Sequence, residues 1–111
     1  METHELNSVI ATLDVARGLH DRYGPMALWF LAHIAKRERL NNPVGREELA
    51  HMAAPMTRAT AYAILELLEK RKLVYRYQDP MDHKRRPVAI TQQGKRILAD
   101  AVAMRKQGEI Q

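Results

Sequence analysis

The feature that most constrains this chain is a change of hydrophobic period at Leu73. Before it, apolar residues recur every three or four positions, the spacing of helices with one buried face. Leu73-Val74-Tyr75-Arg76-Tyr77-Gln78 then alternates and is rich in β formers, so it reads as a strand. Asp79-Pro80-Met81-Asp82 is turn chemistry, and His83-Lys84-Arg85-Arg86 follows as a basic tip. Pro87-Val88-Ala89-Ile90 returns as a second strand, with Val88 and Ile90 on one face and Pro87 suited to an edge position. From Thr91 the helical period resumes through Ile97, Leu98, Ala101 and Met104, and it frays by Gly108. The expected class is therefore mainly α with one small β-hairpin.

The helices upstream can be placed the same way. In residues 6–23, Leu6, Val9, Leu13, Ala16, His20 and Tyr23 form a heptad-like seam suited to packing on another helix. Gly24-Pro25 breaks the chain, and Pro25 can open a second helix, where a missing N–H costs nothing. That helix runs to about Arg39; its start, Met26 to Ala32, is apolar all round and predicts a central position. Lys36, Arg37 and Arg39 mark its solvated end. Asn41-Asn42-Pro43 reads as a loop. A short third helix covers Arg46 to Ala53 with Leu49 and Met52 inward, and Ala54-Pro55 ends it. A fourth, over 57–71, has Thr57 as N-cap and Ala61, Ile64, Leu65 and Leu68 as its buried stripe.

With 111 residues the chain fits one domain. It has no Cys, which removes disulfides, thiolate metal sites and cysteine nucleophiles. Its longest apolar run, Met26 to Ala32, is far short of the ~18 residues of a membrane span. Its first residues have no basic and then apolar leader pattern, so a cytoplasmic protein is expected. The net charge of +5 is unevenly placed. Residues 1–56 carry six basic and seven acidic side chains, residues 57–96 ten and four, and residues 97–111 two of each. The excess thus lies in one stretch, +6 over residues 57–96, from the fourth helix through the hairpin to the start of the last helix, which favours a polyanionic partner.

A short helix joined by a tight turn to a second one is the helix-turn-helix unit, and a basic-tipped hairpin directly after it is a wing. A helix can enter the major groove of DNA only if one face is free of core duties. Here Arg58, Ala59, Tyr62 and Ala63 lie off the buried stripe. Small residues at Thr57, Ala59 and Thr60 let the helix start approach phosphates. Arg58 can pair with a guanine edge or a phosphate. Lys84, Arg85 and Arg86 can reach the backbone or a minor groove.

Residues 46–96 resemble the winged helix of the multiple-antibiotic-resistance regulator (MarR) family. The resemblance rests on Glu48-Leu49-Ala50, on Thr57-Arg58-Ala59-Thr60-Ala61, and on Leu65, Leu68-Glu69, Leu73-Val74 and Arg76. It continues through Asp79-Pro80-Met81-Asp82-His83-Lys84 and Val88-Ala89-Ile90-Thr91-Gln92-Gln93-Gly94, similar to the family's wing and strand-to-helix junction. It implies a winged helix-turn-helix spanning 46–90 within a single domain, 1–111, with residues 6–23 and 91–106 as dimerisation helices. It implies a sequence-specific double-stranded DNA-binding transcriptional regulator, a homodimer that represses by promoter occlusion. Thr57 to Ala63 would enter the major groove, Asp82 would brace the wing by pairing with a basic side chain, and Lys84 or its neighbours would reach the minor groove. Many members release DNA when a small ligand binds near the dimer junction.

Three positions depart from the family pattern. Lys72 stands where a left-handed Gly is usual, at a cost of ~1 kcal/mol if the turn is kept. Lys84 replaces the usual wing Arg, which removes bidentate pairing there unless Arg85 or Arg86 substitutes. The chain also has one C-terminal helix where two are common.

Plainer roles stand beside the sharper ones. Tyr62 either contacts DNA, the favoured reading, or covers the wing. Tyr75 and Tyr77 read as strand packing, Trp29 and Phe30 as core, and His20 as an interface residue. Glu47 or Glu48 with His51 lacks a third ligand, so neither metal nor cofactor is expected. No phosphate loop, nucleophile elbow or metalloprotease motif points to an enzyme. A plasmid or phage accessory DNA-binding protein and a winged-helix protein-interaction module remain as alternatives; a lipid-binding wing lacks the amphipathic basic helix it needs.

Overall fold

The computed structural model describes Thr3 and residues 25–110, with side chains to Ala103. The expected seam helix over 6–23 lies outside these residues, as does the side chain of Met104. The described elements are α1 (Met26–Arg39), β1 (Val44–Gly45), α2 (Arg46–Met52), α3 (Arg58–Lys70), β2 (Val74–Arg76), β3 (Pro87–Ile90) and α4 (Gln92–Ile110). α4 continues past Gly108, where the sequence suggested fraying.

α1 is the central helix its composition predicts. Ala27, Phe30, Leu31 and Ile34 are all fully buried at i, i+3, i+4 and i+7. It packs against β1, β3, α3 and α4. Burying each of the three large side chains contributes about 1.5–3 kcal/mol. Its end is closed by a left-handed residue, Asn41 at φ 56°. The Asn41 N–H donates to the Glu38 carbonyl (3.0 Å) and the Asn42 N–H to the Arg37 carbonyl (2.9 Å), which satisfies two of the orphan acceptors at the helix end.

α3 buries the stripe read from its period: Ala61, Ile64, Leu65 and Leu68. Thr57 caps it, its Oγ1 accepting the Thr60 N–H at 3.2 Å. The helix ends as α1 does. Lys72 takes φ 61°, its N–H donates to the Glu69 carbonyl (3.0 Å), and the Leu73 N–H donates to the Leu68 carbonyl (2.9 Å). The left-handed turn is therefore kept with Lys in place of Gly.

Three expectations about the small elements are corrected. The sheet has three strands, not two, in the order β1-β3-β2. Val44 and Gly45, which the sequence reading assigned to no element, pair antiparallel with Val88 and Pro87. β3 is consequently the central strand, buried at all four positions, and Pro87 is not at an edge. Pro87 fits because it opens the strand, where its carbonyl accepts the Tyr77 N–H at 3.1 Å. β2 is shorter than the alternation suggests, because Leu73 belongs to the end of α3 and Tyr77 and Gln78 to the wing.

The third correction concerns Met52, which is exposed; Leu49, Ala50 and Ala53 form the inward face of α2. Met52 lies instead beside Arg37, whose guanidinium also binds Glu48 and so ties α1 to α2.

Where β1 stops, a side chain completes the sheet. The Ile90 N–H on β3 donates to Glu38 Oε1 of α1 at 3.1 Å. At the start of α4, Thr91 Oγ1 accepts the Gly94 N–H (3.0 Å) and donates to the carbonyls of Lys72 (2.8 Å) and Leu73 (3.1 Å). A Cβ at Gly94 would lie 2.3 Å from the Leu73 carbonyl oxygen, so this Gly permits a backbone contact that no other residue fits. The Thr-x-x-Gly pattern locks the last helix to the turn that ends α3.

Candidate nucleic-acid interface

The first turn of α3 presents its residues as the sequence suggests. Thr57, Arg58, Ala59 and Thr60 are exposed, as is Ala63 one turn on. Thr57 Oγ1 also donates to Thr60 Oγ1 at 2.9 Å, which orders the cap. Arg58 has no ion-pair partner among the described residues. The turn before this helix, Ala53 to Thr57, includes a cis Ala54–Pro55 bond, and the Met56 N–H donates to the Ala53 carbonyl at 3.1 Å.

Tyr62 is placed differently from the expectation of a free DNA contact. It is half-buried against the core, and the Arg46 guanidinium lies over its ring, 4.6 Å from the centroid. The covering group comes from the first residue of α2, a long-range partner that helical period does not disclose.

The wing is held by two aspartates acting on backbone. Asp79 Oδ1 accepts the Met81 N–H at 2.8 Å, and Asp82 Oδ1 accepts the Lys84 N–H at 3.1 Å. Each closes a side-chain-to-backbone turn. The Asp82 and Arg85 N–H groups donate to the Asp79 (3.2 Å) and Asp82 (3.0 Å) carbonyls, and the Asp79 N–H donates to the Arg85 carbonyl (3.1 Å). Gln78 Nε2 donates to the His83 carbonyl at 3.2 Å and lies 3.2 Å from His83 Nδ1. Asp82 thus braces the wing, but through the Lys84 amide. The pairing with a basic side chain expected of it belongs to Asp79, whose Oδ2 lies 3.7 Å from an Arg85 nitrogen.

The three wing cations separate accordingly. Arg85 turns inward, donating to the Pro43 carbonyl ahead of β1 as well as meeting Asp79. It fastens the wing to the sheet while its side chain stays 37% exposed. Lys84 and Arg86 are exposed and unpaired among the described residues. Met81 stands at the wing's apex, 92% exposed. On β2, Arg76 is drawn back to Glu69 of α3 at 3.3 Å.

The phenol of Tyr77, at the root of the wing, is raised above its ordinary pKa by burial, with the nearby Asp79 and Glu38 carboxylates adding to the effect. Tyr75, half-exposed on β2, and Tyr77, just past its end, lie with ring centroids 6.2 Å apart and tilted. Trp29 meets Phe30 edge-on and His33 at a tilt, within the central helix.

Among the described residues, no three His, Asp or Glu side chains converge as metal ligands. Nor is any described helix long and apolar enough to cross a membrane.

No protein-family model matches the chain. It is 44% identical over 59 residues to the transcriptional regulator HosA of Escherichia coli O111:H-; this match covers 52% of the chain and 44% of HosA. The match therefore spans less than half the length of that curated relative. The structure superposes on MepR of S. aureus in its complex with DNA at a TM-score of 0.69 and 20% identity, over 96% of this chain and 74% of MepR. MepR bound to ethidium bromide gives 0.66 and 19%, over 98% and 79%. A probable transcriptional regulator from Pseudomonas aeruginosa gives 0.60 and 25%, over 83% and 75%. The helix-turn-helix of α2 and α3, the three-stranded sheet and the ordered wing are together the winged helix-turn-helix of the MarR-type transcriptional regulators, and that is the fold of this chain.

Proposed function

We propose that the protein is a sequence-specific double-stranded DNA-binding regulator of the MarR type, working as a cytoplasmic homodimer that represses by occluding a promoter. The observation that carries this reading is the division of cations across α3 and the wing. Arg58 on α3 and Lys84 and Arg86 on the wing are exposed and have no ion pair among the described residues, while Arg76 and Arg85 bind partners within the fold. Unpaired cations gathered on the free face of a helix start and on the hairpin beside it suit a polyanion supplied from outside. The exposed methyl surface of Ala59 and Ala63 suits close approach to base edges.

The dimer reading is supported by a mainly apolar hollow between α1 and α4, lined by Ala32, Ala35, Leu98 and the exposed Leu40 and Val102, with Lys36 and Arg39 also in its wall. MepR has been captured with ethidium. By analogy we extend the reading to a small-molecule effector at the dimer junction. The chemistry is binding, with no reaction assigned.

Selection of bound duplexes from a random pool, followed by footprinting, tests the proposal. The expected product is a two-fold pseudo-palindrome with half-sites about 34–36 Å apart. Arg58→Ala should relax sequence preference, while Lys84→Ala with Arg86→Ala should weaken binding to every sequence alike. Enrichment of no motif at all, with a salt-insensitive protein complex instead, would mark a protein-interaction module. Tandem sites with spreading footprints would mark an accessory DNA-organising factor.

A further inference from the structure

A cleft of about 480 Å³ separates the start of α2 from the wing. Its cations are Arg46, Arg76, Lys84, Arg85 and Arg86, and its acids are Glu47 and Glu48. Most of these charges already have partners. Arg76 meets Glu69, Arg85 meets Asp79 and the Pro43 carbonyl, and Glu48 meets Arg37. Among the described residues this leaves three cations without an ion pair, Arg46, Lys84 and Arg86, against one such acid, Glu47.

Arg46 is held in a particular way. Its guanidinium lies on the Tyr62 ring, and Tyr62 is fixed by packing on the core. A ring face holds a guanidinium through its plane and leaves the in-plane N–H donors free. Arg46 is therefore a cation held on a ring, with no hydrogen bond or ion pair to another described residue, next to the helix that carries Arg58 and across the cleft from Lys84 and Arg86 on the wing.

We propose that this cleft seats the sugar-phosphate strand lying between the two grooves the protein occupies, with Arg46 on one wall and Lys84 and Arg86 on the other. The inference rests on the DNA-binding reading above. A protein with one element in a major groove and the next in the adjacent minor groove must straddle the strand that separates them. The cleft opens between the wing and the start of α2, whose Arg46 rests on Tyr62 of α3, and its free charge has the sign a phosphate requires. Tyr62 is then a positioning residue that aims Arg46, rather than a reader of bases. Glu47 opposes the phosphate and moderates affinity.

The test measures binding to a selected duplex and to a random-sequence duplex across a salt series, using Arg46→Gln, Glu47→Gln, Tyr62→Phe and Tyr62→Leu beside the unaltered protein. Arg46→Gln is expected to lose about five- to tenfold on both duplexes and to flatten the salt slope by about 0.9 per protomer. Glu47→Gln should shift both affinities the other way, an opposite sign that a general loss of fold cannot produce. Tyr62→Phe keeps the ring and should bind as the unaltered protein does. Tyr62→Leu should lose what Arg46→Gln loses, and the double variant should lose no more. If Tyr62→Leu does not fold, the Arg46 and Glu47 variants decide. An Arg46→Gln protein with unchanged affinity and slope, while Arg58→Ala still loses sequence preference, overturns the cleft and leaves the DNA reading standing. A loss confined to the selected duplex makes Arg46 a base contact and overturns it as well. Failure of the unaltered protein to bind any duplex overturns both.

Discussion

Gly94 tolerates no side chain. Its added Cβ would meet the Leu73 carbonyl oxygen at 2.3 Å and Ile90 Cγ1 at 2.8 Å, and the first of these is backbone. Gly94→Ala should therefore destabilise the fold by about 1–3 kcal/mol, the range for overpacking a tight site. Thermal or urea unfolding checks this, and an unchanged midpoint would contradict the contact. Lys72 offers the opposite case. It holds φ 61° at the end of α3 with both end-of-helix hydrogen bonds made. Lys72→Gly should relieve the left-handed strain and stabilise the protein by about 1 kcal/mol, read by the same unfolding curves. The strain at 72 was legible only through the family resemblance, which has Gly at that turn. The role of Tyr62 was not, since the group that covers its ring comes from another helix.

At the scale of elements, local period and capping chemistry predicted α1 and α3 well. The buried stripe of α3 and the Thr57 cap stand where their spacing put them. β1 could not be read, because two residues show no alternation and the pairing of Val44 with Val88 is a non-local choice. Missing it also misplaced β3, which looked like an edge and is the centre of the sheet. The wing's positive charge was plain in the sequence, but the direction of each side chain was not. The Pro43 carbonyl that draws Arg85 inward belongs to a loop whose position depends on β1.

That distinction makes a prediction at this scale. Arg85→Ala should loosen the wing, with faster amide exchange at Lys84 and Arg85 and a stability loss of about 1–2 kcal/mol from the carbonyl and carboxylate contacts it removes. Arg86→Ala should leave exchange and stability unchanged and lower DNA affinity only. Matching exchange behaviour in the two variants would contradict the assignment of one cation to the fold and the other to the ligand.

At the scale of the molecule, the +6 carried by residues 57–96 is divided between structure and surface. Arg76 and Arg85 join α3, the wing and the sheet into one unit, Arg58, Lys84 and Arg86 remain outward on the start of α3 and the wing, and Lys70, Arg71, Lys72, Lys95 and Arg96 are exposed elsewhere. The central claim is that Arg58, Lys84 and Arg86 belong to an electrostatic interface for DNA. The dependence of DNA affinity on salt concentration tests it most directly, because each phosphate neutralised releases counterions. With about four phosphates engaged per protomer, log K should fall with log salt at a slope near −7 for a dimer. A slope shallower than about −2 on the preferred duplex would contradict the account.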